Sequence, residues 1–328
     1  MKLEERAARD AEGTILAHNI AFGSGKKALP KGTRLSEAHL LRLAELRVER
    51  VTVVVLEPDD VGEDEAAAAI AAPLESDALR LARAVGGRVN IRAAVDGLLE
   101  VDAARLLALN SVPGVALATL PRHTVAGPNQ PQVQVATLKI IPYALRRADV
   151  DQAIALARSQ PALLRLRPLP PGKQAALLLI GDEAAHPKLR ADFEAPLRAR
   201  LERLGATLAA VQAVSHTHHA IREAAARLAA AADLLITAGQ TSIMDRNDVI
   251  PRALEAAGAV VALHGAPVEP GNLLALAYFP RTPVLCAPGC ARSAARNVVD
   301  MVLPRLLLGD RLNRADVAAL GLGGYLKT

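Results

Sequence analysis

Tryptophan is absent from this chain of 328 residues, and aromatic residues make up only 2% of it. Hydrophobic residues nevertheless account for 51% of the chain, so its cores must be built from Ala, Leu, Val and Ile. Proteins that bind single-stranded nucleic acid stack the bases on aromatic side chains. The composition therefore predicts a folded protein and argues against nucleic acid as its ligand.

Cysteine is nearly absent as well, since Cys286 and Cys290 are the only two. Two cysteines are too few for a disulfide framework, and their spacing fits neither a zinc pair nor a CxxC redox motif. The charged start, MKLEERAARDAEG, contains no apolar signal region, and no later apolar run reaches the length of a membrane span. We therefore expect a cytoplasmic protein with no membrane segment.

The chain also lacks blocks of one charge, although its formal net charge is +5 and its pI is near 9.5. Arginines are scattered along predicted helices and mixed with Glu and Asp. This pattern favours an anionic partner but gives little support to a face that binds duplex nucleic acid. The charged residues from Arg198 to Glu202, for example, are interpreted as a solvated helix face.

The length predicts two or three domains. Residues 1–148 have short β-type runs between turns and are predicted to form an α+β, β-rich region. A helical pattern and the Pro-rich stretch RLRPLPPGKQ follow and are predicted as a helix and linker at 149–172. The α/β domain is placed at 173–310 and a C-terminal tail at 311–328.

Residues 173–310 alternate between apolar runs and helical patterns. This alternation predicts a three-layer, doubly wound α/β fold with a mostly parallel sheet. The ligand is then expected at the carboxyl ends of the strands. The predicted strands are 175–183, 207–214, 234–238, 259–264 and 283–288, and the last predicted helix covers about 291–303.

The stretch LLITAGQTSIMDRND, residues 234–248, is the most informative part of this domain. An apolar strand runs into Gly239, the hydroxyls of Thr241 and Ser242, and the carboxylates of Asp245 and Asp248. Backbone N–H groups at such a strand-to-helix turn favour an anion, which predicts a phosphate site. Carboxylates beside a phosphate indicate a bridging cation.

Four motifs in order resemble a known family. TAGQTSIMDRNDVIPRALEAAG looks like the TTGGTS…D…TPEAL signature of the molybdopterin-binding domain shared by molybdopterin adenylyltransferases and molybdotransferases. HGAPVEPGN and CAPGCARS are similar to that family's GVxMKPG and LPGNPVS loops, and ALLLIGDE resembles its strand ending in TGDE. At lower resolution the whole chain resembles stand-alone bacterial molybdopterin-binding proteins related to the molybdotransferases.

The resemblance implies a site for molybdopterin or its adenylated form in molybdenum cofactor biosynthesis or handling. It further implies a role for ATP or AMP and molybdate, and Mg²⁺ placed by Asp248, which would be the catalytic and metal-binding residue. By analogy with molybdotransferases, the β-rich region is expected to form a homo-oligomer. The implied cofactor-binding residues are Gly239, Gln240, Thr241, Ser242, Asp245, Pro270, Gly271, Asn272, Pro288, Gly289, Cys290, Arg292 and Ser293.

Three positions depart from the family pattern. His216 stands where the catalytic branches have an acid, Asn272 replaces a lysine, and Gln240 replaces a second glycine. A neutral imidazole does not substitute for a carboxylate on Mg²⁺. Three hypotheses stay open. The first is an active Mg²⁺-dependent transferase, which would perform adenylyl transfer or molybdate insertion, and the second is a carrier that binds the cofactor without turning it over. The third is a nucleotide hydrolase on the same fold.

Several single residues also keep two interpretations. Ser242 and Asp245 would bind ligand or cap the following helix. His216 and His219 would share a helix face and bind zinc, or would start a solvated helix. Cys290 is either a low-pKa thiol or a small residue in a tight loop. Arg292 is either an anion ligand or a surface arginine, and the roles of Asp182 and Glu183 are left open.

Overall fold

The computed structural model describes residues 1–21 and 27–326. The chain divides into two compact units, Met1–Arg167 and Pro168–Thr328. Within the described residues, no helix is long and apolar enough to cross a membrane. Each unit has its own layers of strands and helices.

The first unit is β-rich and also contains four described helices. Its strands are β1 Lys2–Ala7, β2 Ile15–Leu16, β3 Ile20–Ala21, β4 Lys27–Leu29, β5 Arg50–Val55, β6 Asp60–Gly62, β7 Leu79–Leu81, β8 Arg88–Ala93, β9 Gly97–Val101, β10 Val115–Thr119, β11 Val125–Ala126, β12 Gln134–Ile140, β13 Ala144–Arg146 and β14 Leu164–Pro168. Its helices are α1 Glu37–Glu45, α2 Glu63–Ala71, α3 Ala103–Asn110 and α4 Arg147–Arg158.

These strands form several small sheets, with orders β1-β5-β2, β10-β12-β8-β7, β11-β9-β14, β13-β6 and β3-β4. One core of this unit is formed by residues of the four-stranded sheet, of α2 and of α4, and it includes Ile70, Ile91 and Leu138, all fully buried. The predicted α+β, β-rich character of this region is therefore confirmed.

The second unit alternates strands and helices. Its strands are β15 Gln174–Ile180, β16 Thr207–Val214, β17 Leu234–Gly239, β18 Val260–His264, β19 Ala275–Tyr278 and β20 Pro283–Ala287. Its helices are α5 His186–Arg203, α6 His218–Ala231, α7 Val249–Ala256, α8 Val298–Leu307 and α9 Arg314–Ala318.

The six strands of this unit form one sheet in the order β16-β15-β17-β20-β19-β18. Pairing is parallel among β16, β15, β17 and β20, whereas β19 is antiparallel to both of its neighbours. The predicted doubly wound, mostly parallel sheet is confirmed. Strand β19 was not predicted. Its four residues form a short apolar run, and the segment between the predicted strands 259–264 and 283–288 was interpreted as a loop.

The central strands carry apolar residues on both faces of the sheet. Leu178, Ile180 and Leu235 pack with residues of α6 and α7 on one face of the sheet. Side chains alternate along a strand, so Leu177 and Leu179 point to the opposite face, where α5 lies against β15, β16 and β17 and α8 against β20. Burial on both faces explains why β15 reads as a continuous apolar run.

Strand pairing brings the candidate loops to one edge of the sheet. Ile180 pairs with Gly239, Ala238 with Ala287, and Ala275 with Cys286. The turns that follow β15, β17 and β20, and the one that precedes β19, therefore lie at the carboxyl edge. From β15 the chain first adds β16 on one side and then β17 on the other, so the strand order reverses at β15. In α/β sheets the ligand crevice lies at such a point.

The last helix of the sheet begins later than predicted. The prediction placed it at about 291–303, but α8 covers Val298–Leu307 and Gly289–Arg292 form a 3-10 turn. Asn297 starts the helix: its Oδ1 accepts from Val299 N at 3.0 Å, and its own N–H donates to Asp300 Oδ2 at 3.0 Å. This capping box fixes the start of α8.

Two segments at the predicted domain margins are ordered parts of the units. The Pro-rich stretch 165–174 contains most of β14, which pairs in the sheet of β9, and ends where β15 begins. Residues 311–326 contain α9 and bury Leu312 and Val317. The exact domain limits given above stay a prediction.

Candidate functional site

The predicted phosphate loop, residues 239–248, leaves the end of β17 in a tight turn. The N–H of Gln240 donates to Ile180 O at 2.8 Å, which extends the pairing with β15 by one residue. A Cβ at Gly239 would lie 2.7 Å from Thr241 O and 3.3 Å from Ile250 Cδ1. Only glycine fits there, because a side chain would collide with the backbone of the turn.

Both predicted acids of this loop are bound within it. Asp248 Oδ2 accepts from Met244 N at 2.7 Å and from Asp245 N at 3.1 Å. Asp245 Oδ1 accepts from the backbone N of Asn247 at 2.7 Å and from its Nδ2 at 2.8 Å. These hydrogen bonds from Asn247 hold the pKa of the Asp245 carboxyl below its usual value. The carboxylates thus shape the turn before α7.

A cavity of about 220 Å³ lies at the carboxyl edge beside this loop. It is lined by His216, Thr241, Ser242, Ile243, Met244, Asp248, Val249 and Ile250. Its wall therefore combines two hydroxyls, one carboxylate and one imidazole with the first residues of α7. Unpaired N–H groups and the positive end of the helix dipole at such a helix start favour an anion.

His216 and His219 do not share the helix face that the zinc interpretation required. Thr217 precedes α6, and its Oγ1 accepts from Ala220 N at 3.4 Å. His216 therefore lies before the helix and lines the cavity, while His219 is exposed on its first turn. Within 1–21 and 27–326, no group of three or more His, Cys, Asp and Glu is arranged to hold a metal ion.

Gln240 closes the gap between the ends of β15 and β17. Its Oε1 accepts from Asp182 N at 3.1 Å, and a Cβ at Gly181 would lie 3.0 Å from the same oxygen. His186 Nε2 is 2.9 Å from Gly181 O and 3.1 Å from Val214 O. Both partners are acceptors, so Nε2 carries the proton and ties the first two strand ends together.

The predicted loop at Pro270, Gly271 and Asn272 is anchored on the start of α8. Pro270 O accepts from Val298 N at 3.2 Å, and a Cβ at Gly271, whose φ is +134°, would lie 2.3 Å from Val298 Cγ1. Asn272 O accepts from Ala266 N at 3.0 Å, which closes the loop. Glycine at 271 is needed here for close packing.

The predicted loop at 288–293 is held by a buried arginine. Arg200, from α5, is 3% exposed, and its Nη2 donates to Ser293 O at 2.7 Å and to Ala295 O at 3.0 Å. Asn297 Nδ2 donates to Cys290 O at 3.1 Å. The interpretation of residues 198–202 as a solvated face is therefore wrong at Arg200, whose guanidinium is enclosed by loop carbonyl groups.

Arg292 lies against α5. Its guanidinium carbon is 4.8 Å from the centre of the Phe193 ring, and its Nε is 3.7 Å from Asp192 Oδ2. A cation over an aromatic face is attracted by the ring's charge distribution. These contacts favour the surface interpretation over that of an anion ligand.

The two cysteines have little thiolate character. Burial raises the pKa of the Cys286 thiol to about 11. Burial also raises the pKa of the Cys290 thiol above its usual value, although the charge of Arg200 opposes this effect. The structure thus favours the interpretation of Cys290 as a small residue in a tight loop.

The sequence-predicted residues therefore fall into two groups at the same sheet edge. Thr241, Ser242 and Asp248 meet in the cavity, and Gly239 and Gln240 form the turn that leads to it. The residues of 270–272 and 288–293 are not among those that line the cavity. Their assignment as ligand contacts stays a prediction.

Three residues that support the site could not be predicted from the sequence: His186, Arg200 and His264. His264 Nε2 is 3.0 Å from Ile243 O, so it donates to the wall of the cavity. Each of these side chains acts on a segment distant in sequence, and no local motif marks it. For His264 alone, the position at the end of a predicted strand indicated that it lies at the carboxyl edge of the sheet, where the ligand is expected.

Comparison with known proteins identifies the second unit. Residues 176–308 match the family model described as "Probable molybdopterin binding domain". The match agrees with the four sequence motifs and supports the predicted role in molybdenum cofactor biosynthesis or handling. A comparison with curated proteins finds no match.

Solved structures resemble the chain at low sequence identity. A molybdenum cofactor biosynthesis protein from Pyrococcus furiosus is 13% identical, with a TM-score of 0.27 over 97% of this chain and 65% of that one. The molybdopterin biosynthesis MoeA protein from Pyrococcus horikoshii is 13% identical, with a TM-score of 0.31 over 94% and 75%. MoaB from Thermus thermophilus is 18% identical, with a TM-score of 0.31 over 42% and 98%. The chain thus spans less than two thirds of the first of these proteins, and the assignment of 176–308 depends on the family match.

Proposed function

We propose that this protein binds molybdopterin, free or adenylated, and holds it for other steps of molybdenum cofactor biosynthesis. The observation that carries the proposal is the cavity between His216 and the loop 241–250. It supplies the groups that a phosphate monoester requires: hydroxyl donors, a helix start and an imidazole. The family match of the same residues indicates which phosphorylated ligand to test first.

The size of the cavity suits one end of the ligand. Sites for whole small molecules usually enclose about 300–1,000 Å³, whereas this cavity has about 220 Å³. The phosphate would occupy the cavity, and the pterin would extend along the carboxyl edge toward the loops at 265–272 and 288–293. Those loops share that edge through the pairing of β17, β20 and β19.

The donor set of the cavity favours a carrier. Mg²⁺ prefers oxygen ligands in octahedral geometry. Among the described residues that line the cavity, Asp248 supplies the only carboxylate, and its Oδ2 already accepts two backbone N–H groups. The imidazole of His216 is a poor ligand for this cation. Binding is therefore proposed to proceed without Mg²⁺.

An active transferase is the second candidate, because Asp248 lines the same cavity as Thr241 and Ser242. In many phosphoryl-transfer sites one or two carboxylates hold Mg²⁺ together with oxygens of the substrate phosphates. In that case Asp248 would place the ion, and ATP or molybdate would be a co-substrate. This candidate requires that turnover depend on Mg²⁺.

One experiment separates the two candidates. The purified chain is mixed with molybdopterin, adenylated molybdopterin and ATP, with Mg²⁺ or with a chelator, and the products are analysed. The carrier proposal expects stoichiometric pterin binding in chelator and no consumption of ATP or release of AMP. Pterin-dependent turnover in Mg²⁺ would replace it by the transferase, and absence of binding to any pterin would overturn both.

The variant His216→Asp sharpens this test. It adds a second carboxylate to the cavity, and it is expected to make pterin binding respond to Mg²⁺. The control His219→Asp makes the same change on an exposed residue outside the cavity lining. If both variants respond alike, His216 does not face the ligand.

The remaining parts of the proposal concern the whole protein. We place the carrier in the cytoplasm and assign the β-rich first unit to a homo-oligomer, by analogy with the architecture of molybdotransferases. Light scattering of the purified chain tests the second point. A monomer at all accessible concentrations would overturn it.

A further inference from the structure

The segment 311–326 returns to the sheet edge and pairs with a ligand loop. Glu269 N donates to Gly324 O at 2.8 Å, and Leu326 N donates to Glu269 O at 2.7 Å. These bonds form a parallel bridge between Glu269 and Tyr325. We call residues 311–326 the clasp. Through this bridge the clasp touches the loop 265–272 immediately before Pro270.

The contact between the clasp and the loop is tight at the backbone. A Cβ at Gly324 would lie 2.6 Å from Pro267 O and 2.6 Å from Leu320 O. A Cβ at Gly321 would lie 3.2 Å from Pro267 Cγ. The distance of 2.6 Å between a Cβ at residue 324 and Pro267 O is too short for a real Cβ contact, and the oxygen belongs to the backbone. Even alanine at 324 would therefore force the clasp away from Pro267.

A second set of bonds reaches the cavity. Arg314 Nη1, on α9, donates to His264 O at 3.0 Å and to Gly265 O at 3.2 Å. The side chain of His264 in turn donates to Ile243 O at 3.0 Å, and Ile243 lines the cavity. One continuous path of hydrogen bonds thus joins the clasp to the proposed phosphate site.

The other side of the clasp is fixed to the domain core. Arg305, buried on α8, donates to Asp316 Oδ1 of the clasp at 3.0 Å, and to Oδ2 of Asp310, the residue before the clasp, at 3.1 Å. Leu312 N donates to Tyr278 Oη at 2.7 Å, and the Leu312 side chain is buried. The clasp is therefore fixed to α8 and β19, and its own bonds to the loop 265–272 restrain the loop in turn.

We infer that the clasp is a positioning element for ligand binding: it holds the loop 265–272 directly and the cavity wall through His264. Loops that bind ligands are otherwise among the least stable parts of a fold. Fixing them before binding reduces the ordering cost at the moment of binding and so raises affinity. The inference rests on the proposed function, because it takes molybdopterin as the ligand of these loops.

The test uses the full chain and three variants. Gly324→Ala opens the bridge, and Arg314→Ala removes the bonds to His264 and Gly265. Leu322→Ala is the matched control, since Leu322 belongs to the clasp but is 95% exposed. Hydrogen exchange is measured without ligand for peptides 241–250 and 263–274, and molybdopterin affinity is then measured for each protein.

The inference expects faster exchange of 263–274 in Gly324→Ala and of both peptides in Arg314→Ala, with exchange of β15 and β17 unchanged. Molybdopterin affinity is expected to fall about tenfold in both variants and to stay at the wild-type level in Leu322→Ala. Faster loop exchange with unchanged affinity would overturn the positioning role and leave the proposed function intact. Unchanged exchange would show that the clasp does not restrain the loops.

Failure of the proposed function gives a different result. In that case the wild-type chain itself does not bind molybdopterin, and the assignment of the ligand falls before any variant is compared. His264→Leu and His264→Gln extend the test to the cavity, because leucine removes the donor to Ile243 O and glutamine keeps an N–H donor. Equal affinities for these two variants would contradict the path through His264.

Discussion

The guanidinium of Arg200 and the carboxylate of Asp300 form an ion pair within the second unit, with Nε 3.1 Å from Oδ1. Arg200 is 3% exposed, and its remaining donors reach carbonyl oxygens of Pro196, Ala291, Ser293 and Ala295. One side chain of α5 thus fixes both the start of α8 and the loop after β20. The charge is buried but fully hydrogen-bonded, as a stable fold requires.

The variant Arg200→Met is expected to lower the free energy of unfolding of this unit by about 3–5 kcal/mol, because it breaks the buried ion pair with Asp300 and removes the donor to several loop carbonyls. Denaturant unfolding followed by circular dichroism measures the loss. Arg203→Ala is the control: Arg203 pairs with the same Asp300 oxygen at 3.1 Å but is 63% exposed. Its removal is expected to cost less than about 1 kcal/mol. Equal losses would contradict the account of Arg200.

Asp248 is expected to act through the shape of its loop. Asp248→Ala removes the acceptor of two backbone N–H groups, each worth about 1 kcal/mol, so molybdopterin affinity should fall about tenfold or more in chelator and in Mg²⁺ alike. Asp248→Asn keeps an oxygen acceptor and should bind much as the wild type does. Titration calorimetry gives both affinities. A loss that is equal in the two variants and confined to Mg²⁺ would assign Asp248 to the metal instead.

The pH dependence of the stability of the same loop is expected to follow the titration of Asp245. Hydrogen bonds from Asn247 lower the pKa of Asp245 below its ordinary value of 3.8. The stabilisation from the charged form is therefore complete above that value and is lost as the pH falls through the lowered pKa. A carboxyl ¹³C NMR titration should give a midpoint below 3.8. A midpoint at or above this value would show that the turn is not closed by Asp245 in solution.

The thiols are expected to react slowly. Cys286 is buried in β20 with a pKa raised to about 11, and the pKa of Cys290 is raised as well. Since the thiolate is the reactive form, iodoacetamide at neutral pH should modify Cys290 more slowly than a free cysteine and leave Cys286 untouched. Mass spectrometry of the labelled peptides measures this. Rapid modification of Cys290 would restore the interpretation of a reactive thiol.

Sequence periodicity was sufficient for most of the second unit because its elements are locally determined. The apolar run 207–214 is β16 with the same limits, and the pattern after Asp248 is α7. Gly239, Thr241, Ser242 and Asp248 could be found because a strand-to-helix turn and its small and polar residues are contiguous in sequence. The order of the four motifs then indicated the family.

Other features depend on contacts between distant residues. Arg200 is buried by the carbonyls of residues about 90 positions away, so its helical surroundings alone predicted a solvated side chain. Strand β19 is recognisable only once β18 and β20 are placed on either side of it. The bonds of the clasp to Glu269 and His264 are likewise long-range and leave no periodic signal in 311–326.

Binding of molybdopterin compared with its dephosphorylated form, measured by titration calorimetry in chelator, tests the central claim most directly. The account predicts one site per chain, with affinity at least about tenfold lower without the phosphate, since charge-assisted hydrogen bonds are lost. It also predicts that Ser242→Phe, which fills the cavity from an exposed position, removes this difference. Equal affinity of the wild-type chain for both forms would contradict the claim that the cavity holds the phosphate.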